Sequence, residues 1–224
     1  MLETYIKEEV MVIENLVPHI FVDNIITEVD RNYILSYIND YNSINKVLGG
    51  TKVIKKDNIQ DEKILSILDG IINLFDNNIF EYFSEHISSK VREIEMRTSQ
   101  IIANFRTAVY GPFISISEPG HFINAHRDDF FQFIICIIYL GHLDNTPAQT
   151  TSILNGKEIL SLYSEDEISH DRNYENIKRV NFGYSNNSAL FFLNNHYAYH
   201  MVDKPIEKSR VTIMFSIEIM IDEN

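Results

Sequence analysis

The chain has 224 residues, of which 45% are hydrophobic, and its 19 basic and 32 acidic side chains give a net charge of −13. This length suits one domain with a sizeable core, the acidic balance argues against nucleic acid or an anionic membrane as the main partner, and no apolar run is long enough to cross a bilayer. The single cysteine, Cys136, excludes an intrachain disulfide and suits a reducing cytoplasmic location.

The first hundred residues are predicted to be mainly helical. Residues 18–23 have the composition of a short strand, and Thr27 is a suitable N-cap for a helix over 28–40. Residues 41–60 are polar and are predicted to be irregular. Over residues 61–97, apolar side chains recur at three- and four-residue steps, which is typical of helices that pack on the outside of a sheet.

After residue 100 the pattern changes to that of β-strands. Short runs rich in Ile, Phe, Val and Thr alternate with turns. Many short strands after a helical front predict an α+β fold, in which a double-stranded β-helix (jelly-roll) barrel over residues 101–224 is buttressed by the helices of residues 1–100. No repeat or linker divides the chain, so we expect residues 1–224 to form a single domain.

Two of these strands have informative alternation. In 210–218 the polar residues Arg210 and Thr212 share a face that would look into the barrel, and the other face is wholly apolar. The strand 131–139 is predicted to place five side chains on one face: Phe131, Phe133, Ile135, Ile137 and Tyr139.

Three residues have the types and spacing of metal ligands. His126 and Asp128 are two apart, so in a strand they project from the same face, and His200 comes from a distant segment. Two imidazoles and one carboxylate on one side of a metal form the facial triad of non-haem Fe(II) oxygenases. We call these residues the metal triad. Arg210, ten residues beyond His200, offers a fixed positive fork for a carboxylate.

This ordered set resembles the Fe(II)- and 2-oxoglutarate-dependent dioxygenase superfamily, most closely its prolyl-hydroxylase-like branch. Residues 116–128 resemble the family's strand, Pro-Gly turn and first metal-binding strand. Residues 136–140 resemble the next core strand, and residues 188–200 resemble the strand that leads to the second histidine. A lone His-x-Asp is a weak signal, whereas the whole ordered set is specific.

The resemblance implies the cofactors and the reaction. The metal triad would bind Fe(II), and Arg210 would pair with the distal carboxylate of 2-oxoglutarate, helped by Tyr139 and Thr212. With O2 as the oxidant, the enzyme would hydroxylate an unactivated C–H bond and release succinate and CO2. A carboxylate at Asp128 argues against halogenation, because related halogenases have a small residue there.

The substrate is less defined. We expect a small molecule such as an amino acid or a biosynthetic intermediate, with Arg127, Phe131 and Ile135 as candidate substrate-binding residues. Residues 156–180, which we call the insertion, either cover the barrel mouth or form a solvated loop. The alternatives are a peptide or protein side-chain hydroxylase, a non-catalytic metal- or ligand-binding barrel, and a cupin-type metal enzyme that does not use 2-oxoglutarate. The oligomeric state does not follow from the sequence.

The other histidines are predicted not to bind the metal. His196 lies fourteen residues before Arg210, which is longer than the family spacing, so His200 is favoured as the ligand. His142 and His170 lie in turn-like surroundings and are predicted to be solvated.

Overall fold

The computed structural model describes residues 16–44, 50–168 and 174–222. Its helices are α1 (Glu28–Ile44), α2 (Glu62–Asn78), α3 (Phe80–Ser84), α4 (Ile87–Thr98), α5 (Gly156–Leu162) and α6 (Glu165–Ile168). Its strands are β1 (His19–Asp23), β2 (Thr51–Lys55), β3 (Phe105–Ser117), β4 (Gln132–His142), β5 (Ala148–Gln149), β6 (Ser152–Leu154), β7 (Arg179–Asn181), β8 (Tyr184–Ser185), β9 (Ser188–Leu193), β10 (His200–Met201) and β11 (Arg210–Ile221). No helix in the described ranges is both long and apolar enough to span a membrane.

The strands form one large sheet and two small ones. The six-stranded major sheet has the order β1-β9-β4-β11-β3-β2. The three-stranded minor sheet has the order β10-β6-β7, and β5 pairs with β8. All strand pairs in the described residues are antiparallel. The predicted α+β class is therefore confirmed, and β4 and β11 are the two central strands of the major sheet.

The two faces of the major sheet bury different side chains. On the helix-side face, Val211, Ile213 and Phe215 of β11 join the core beneath the helices, where Phe75 of α2 packs edge-on against Phe215 with ring centroids 5.6 Å apart. On the interior face, a second cluster contains residues of β4, β9 and the minor sheet: Ile135, Ile137, Tyr139, Leu190, Phe192 and Ile153. This division matches the alternation predicted for β11.

The helical front forms largely as its sequence predicts. Thr27 precedes α1 and accepts a hydrogen bond at Oγ1 from the backbone nitrogen of Asp30, 3.1 Å away. Asp61 caps α2 by accepting from the backbone nitrogens of Lys63 and Ile64. The expectation of irregular structure in residues 41–60 was wrong at two places in the described part, because α1 continues to Ile44 and β2 occupies the edge of the major sheet.

The alternation predicted for 131–139 holds only in part. Ile135 and Tyr139 face the interior, but Phe131 and Phe133 pack with the helix-side core. The pairing of β11 with β4 shifts register between Ile217 and Glu218, where it passes over Phe133. Such a bulge reverses the phase of the side chains before it, so Phe133 turns to the helix side.

The first metal-binding segment is not the regular strand that the sequence predicts. His126 forms only an isolated bridge with His200, and its neighbours have no regular strand pairing. Because β10 is two residues long, it gives this segment little edge to pair with.

The insertion is folded and packs against the minor sheet. Asn155 caps α5 by accepting from the backbone nitrogen of Glu158 at 3.3 Å. Ile159, Ile168 and Tyr174 of the insertion share a cluster with Tyr199. Residues 169–173, which include His170, lie outside the described residues. The described part of the insertion is thus a packed element rather than a solvated loop.

Candidate active site

The metal triad assembles at the edge of the minor sheet. His126 and His200 are joined by two backbone hydrogen bonds of 3.1 and 3.0 Å. Asp128 Oδ2 lies 3.4 Å from His200 Nε2, and Asp128 Oδ1 lies 4.0 Å from His126 Nε2. One ligand atom from each residue lies within 4.8 Å of the other two. The three side chains that the sequence analysis selected are therefore close enough to hold one metal ion.

Each imidazole is held through its Nδ1 atom by a carbonyl two residues earlier. His126 Nδ1 lies 2.8 Å from the oxygen of Asn124, and His200 Nδ1 lies 3.3 Å from that of Ala198. A ring that donates through Nδ1 presents the lone pair of Nε2, which is the form that binds a metal. Both rings thus direct Nε2 toward Asp128.

His200 is buried and neutral near pH 7. Its pKa falls to about 4, chiefly because burial disfavours the charged ring and secondarily because of His126. Phe192 covers the ring, with centroids 4.9 Å apart. A neutral imidazole has no proton to lose when it binds a metal, so His200 is ready for coordination at neutral pH.

Arg210, the first residue of β11, is a buried cation. It is 5% exposed, and its Nη1 donates to the carbonyl oxygen of Gln149 at 3.1 Å. Its Nε is buried without a hydrogen-bond partner, and no ion pair of the described residues includes this guanidinium. A buried cation without a counter-ion is costly. The arrangement therefore favours an anionic ligand at this position.

Tyr139 and Thr212 lie beside this cation on the interior face. They oppose each other across β4 and β11, so their side chains share a face. The hydroxyl oxygen of Tyr139 accepts from the backbone nitrogen of Thr151 at 3.0 Å. Burial raises the pKa of Tyr139. The phenol therefore stays protonated and can donate its own hydrogen to a ligand.

A bulge in β4 adds a residue that the sequence analysis did not select. Val211 pairs with Gly141 and Thr212 pairs with Tyr139, so β4 contains one extra residue at this point. Gly141 adopts a φ of +90° there, a conformation that favours glycine. The bulge brings His142 directly opposite Arg210. His142 is 8% exposed, so its predicted solvation is wrong.

A cavity of about 490 Å³ opens beside the triad. Both His126 and Asp128 line it, together with amide, charged and aromatic side chains from four segments. The principal ones are Lys90, Glu93, Arg97, Arg127, Asp129, Phe130, Glu165, Asn194 and Tyr199. This volume suits a small polar molecule next to the metal position.

The three candidate substrate-binding residues lie in different places. Arg127 lines the cavity, where its Nη2 lies 3.1 Å from Glu165 Oε2 and its Nη1 donates to the carbonyl oxygen of His196 at 3.1 Å. Ile135 belongs to the interior cluster with Tyr139. Phe131 packs with the helix-side core and belongs to neither the cavity nor that cluster. His196 contacts Arg127 and not the triad.

Lys90 lines the cavity and is another residue that the sequence analysis did not select. It is 2% exposed, and its Nζ donates to the carbonyl oxygen of Asn194 at 2.5 Å. Burial lowers its pKa. Its position in α4 could have identified it from the sequence. Lys90 lies on the same helix face as Val91 and Ile94, and all three residues are buried. A lysine on an apolar stripe is rarely buried without a partner.

The donor sets fit both groups that the resemblance implies. Two Nε2 atoms and a carboxylate oxygen are ordinary ligands of Fe(II), and Asp128 Oδ2 is buried without a hydrogen-bond partner. The unpartnered Nε of Arg210 and the hydroxyl of Tyr139 are donors suited to a carboxylate.

Known structures share this architecture. A prolyl hydroxylase of Trichoplax adhaerens, in complex with a peptide fragment of the hypoxia inducible factor oxygen degradation domain, is 13% identical with a TM-score of 0.52, and the match covers 89% of this chain and 83% of that one. HygX from Streptomyces hygroscopicus, with nickel and 2-oxoglutarate bound, is 8% identical with a TM-score of 0.50, over 91% of this chain and 83% of that one. No protein-family model and no curated protein sequence matches. This chain has the jelly-roll fold of these two proteins, so the predicted fold class is confirmed.

Proposed function

We propose that this protein is an Fe(II)- and 2-oxoglutarate-dependent dioxygenase that hydroxylates an unactivated C–H bond of a small molecule. The single observation that carries the proposal is a complete metal triad on the same fold as a buried Arg210 that has no ion-pair partner among the described residues. Either feature alone would be weak. A metal-binding site and a carboxylate-binding site in one barrel suit 2-oxoglutarate, because one end of this molecule chelates a metal and the other end is a carboxylate.

The proposed roles follow from the contacts of each side chain. His126, Asp128 and His200 would hold Fe(II), and Arg210 would bind the distal carboxylate of 2-oxoglutarate with help from Tyr139 and Thr212. Bound iron and 2-oxoglutarate supply the oxidative chemistry with O2, and succinate and CO2 are released. The interior cluster that contains Ile135 excludes water from this region, which strengthens the Arg210–carboxylate interaction.

A small-molecule substrate is favoured over a peptide because the insertion closes one side of the cavity. Glu165 of α6 pairs with Arg127, which follows the ligand His126 directly. The insertion is fixed in this place by its own apolar cluster with Tyr199. A cavity of about 490 Å³ suits an amino acid or a similar metabolite.

We place the activity in the cytoplasm as part of the same proposal. Fe(II) is maintained in a reducing compartment, and the only thiol, Cys136, is buried in the core with its pKa raised by burial. We also propose that residues 1–224 act as one domain, because β1 and β2 complete the edges of the sheet that carries Arg210.

The test is an anaerobic titration of the apo-protein with Fe(II) and 2-oxoglutarate, followed by visible absorption. We expect a weak metal-to-ligand charge-transfer band that is lost in Asp128→Ala and His200→Ala. His196→Ala is the matched control and should keep the band, since His196 is a neighbouring histidine outside the triad. Bound iron without a band in the wild-type protein would refute the proposal and favour a non-catalytic barrel or a cupin-type enzyme.

Substrate class is then tested by adding pooled amino acids or pooled peptides to the loaded enzyme in air. Succinate release stimulated by the amino acids and not by the peptides supports the small-molecule proposal. Stimulation by peptides alone would replace it with a peptide or protein side-chain hydroxylase.

A further inference from the structure

His142 has the features of a ligand-binding residue that no contact within the protein explains. It ends β4 on the interior face, is 8% exposed, and has a buried Nδ1 without a partner among the described residues. Its backbone is fixed, since its nitrogen donates to the carbonyl oxygen of Thr146 at 2.8 Å and its oxygen accepts from Asn145 at 2.9 Å. A buried, unpartnered polar atom on a fixed backbone is uncommon in a folded protein.

The register places this histidine beside Arg210. The two residues pair directly across β4 and β11, so their side chains stand next to each other on one face. Both contain a buried nitrogen without a partner, Nδ1 of His142 and Nε of Arg210. Two neighbouring donors can be satisfied together by a single carboxylate, which has two acceptor oxygens.

The β4 bulge is what makes this pairing possible. Tyr139 and His142 are three residues apart and would lie on opposite faces of a regular strand. Because β4 has one extra residue at Leu140–Gly141, the side chains of Tyr139 and His142 both lie on the interior face. The side chain of Leu140 packs on the helix side. A chain without this bulge would present no side chain from position 142 to Arg210.

We propose that His142 is a further 2-oxoglutarate-binding residue of this protein, donating a hydrogen bond from Nδ1 to the distal carboxylate that Arg210 holds. This inference rests on the proposed function. The role is one of binding and selectivity for the co-substrate, because His142 lies at the carboxylate end and not at the metal. The neutral imidazole with its hydrogen on Nδ1 is sufficient, so no additional charge is required.

The experiment measures binding rather than turnover. Wild-type, His142→Leu, His142→Asn and His19→Leu proteins are loaded with Mn(II) under anaerobic conditions and titrated calorimetrically with 2-oxoglutarate and with oxalate. Oxalate can chelate the metal but has no distal carboxylate. His19 is the matched control: it is 4% exposed and has a buried, unpartnered Nε2, but it lies on β1, which pairs with neither β4 nor β11.

We expect His142→Leu to raise the Kd for 2-oxoglutarate by about tenfold or more, which is typical of a lost hydrogen bond to a charged group, and to leave oxalate binding unchanged. His142→Asn places an amide N–H near the position of Nδ1 and should recover most of the affinity. His19→Leu should bind both ligands like the wild type.

The outcomes separate this inference from the proposed function. If the wild type binds 2-oxoglutarate and His142→Leu binds it within twofold, the role of His142 is refuted while the function stands. Equal weakening toward 2-oxoglutarate and oxalate would mean that the variant disturbs the metal site, which also refutes the inference. If the wild type binds oxalate but not 2-oxoglutarate, both proposals fail. Far-ultraviolet circular dichroism of each variant verifies that it is folded.

Discussion

Arg127 and Glu165 join the metal-binding segment to the insertion, with Arg127 Nη2 3.1 Å from Glu165 Oε2. Arg127 stands between His126 and Asp128 of the metal triad in the chain, and Glu165 is the first residue of α6. Their contact therefore connects the insertion to the segment that contains these two residues of the triad. Arg97 of α4 lies 3.9 Å from the other oxygen of Glu165, so one carboxylate is shared by two guanidinium groups.

Removal of this carboxylate should loosen the insertion without unfolding the protein. Glu165 is 46% exposed, so the pair contributes no more than about 1 kcal/mol to the free energy of unfolding. We expect Glu165→Gln to increase amide hydrogen exchange in 156–168 and to leave the melting temperature nearly unchanged. Lys208→Gln is the control, since it breaks an exposed pair with Asp144 elsewhere on the surface. Unchanged exchange in Glu165→Gln would show that the apolar cluster alone holds the insertion.

Neighbouring aspartates should differ sharply in their effect on metal binding. Asp128→Asn removes the anionic ligand of the triad, and we expect the affinity for Mn(II) to fall by at least about 100-fold. Asp129→Asn should have little effect, because Asp129 Oδ1 accepts from the backbone nitrogen of Phe131 and the amide oxygen of asparagine can do the same. Calorimetric titration with Mn(II) measures both. Similar losses in the two variants would contradict the assignment of Asp128 as the ligand.

The stability of the apo-protein should depend on pH through His200. The pKa of His200 is lowered from 6.5 to about 4 in the folded state, so between these values the unfolded chain binds a proton that the folded chain does not. Stability from this residue is therefore complete above about pH 6.5 and declines as the pH falls toward 4, by up to about 3 kcal/mol.

Urea unfolding of the apo-protein at several pH values tests this dependence. The decline between pH 7 and pH 4 should be smaller in His200→Gln than in the wild type. Equal slopes in the two proteins would mean that other groups cause the decline.

Two glycines should respond in opposite directions to alanine. At Gly141 a Cβ would lie 2.7 Å from the carbonyl oxygen of Thr146, and φ is +90°, so we expect Gly141→Ala to cost roughly 2–5 kcal/mol. At Gly70 in α2 a Cβ would meet nothing within 4 Å, and Gly70→Ala should stabilise the protein by up to about 1 kcal/mol. Chemical denaturation measures both changes. A Gly141→Ala protein as stable as the wild type would show that the bulge can rearrange.

The sequence was sufficient to predict the fold class and the polar and apolar faces of β11, and it also selected the four residues that we propose hold a metal and a carboxylate. Residue type and order carried that information, because few buried positions tolerate imidazole, carboxylate or guanidinium groups. The side-chain directions in β4 were less predictable. Strict alternation of side chains predicted Phe133 on the wrong face at one end of β4 and did not place His142 on the interior face at the other. Each end of the strand has a bulge, which changes the face on which the following side chains lie.

Contacts between segments distant in the chain were the other missing part. The strand β2 follows a polar segment, and it forms because β3 presents an edge to which it can pair. The insertion forms helices because its apolar residues meet Tyr199 and Met201, roughly thirty to forty residues further along the chain. Such packing decides structure where local preference is weak.

The position of β11 has a consequence for biosynthesis. This strand lies between β4 and β3, which have no direct pairing, so the middle of the major sheet stays open until residues 210–221 have left the ribosome. Until then the nascent chain exposes apolar strands from both halves of the barrel, and these must be kept from aggregating. Arg210 arrives with that same strand, so the proposed carboxylate-binding end of the site and the closed sheet are completed in one step.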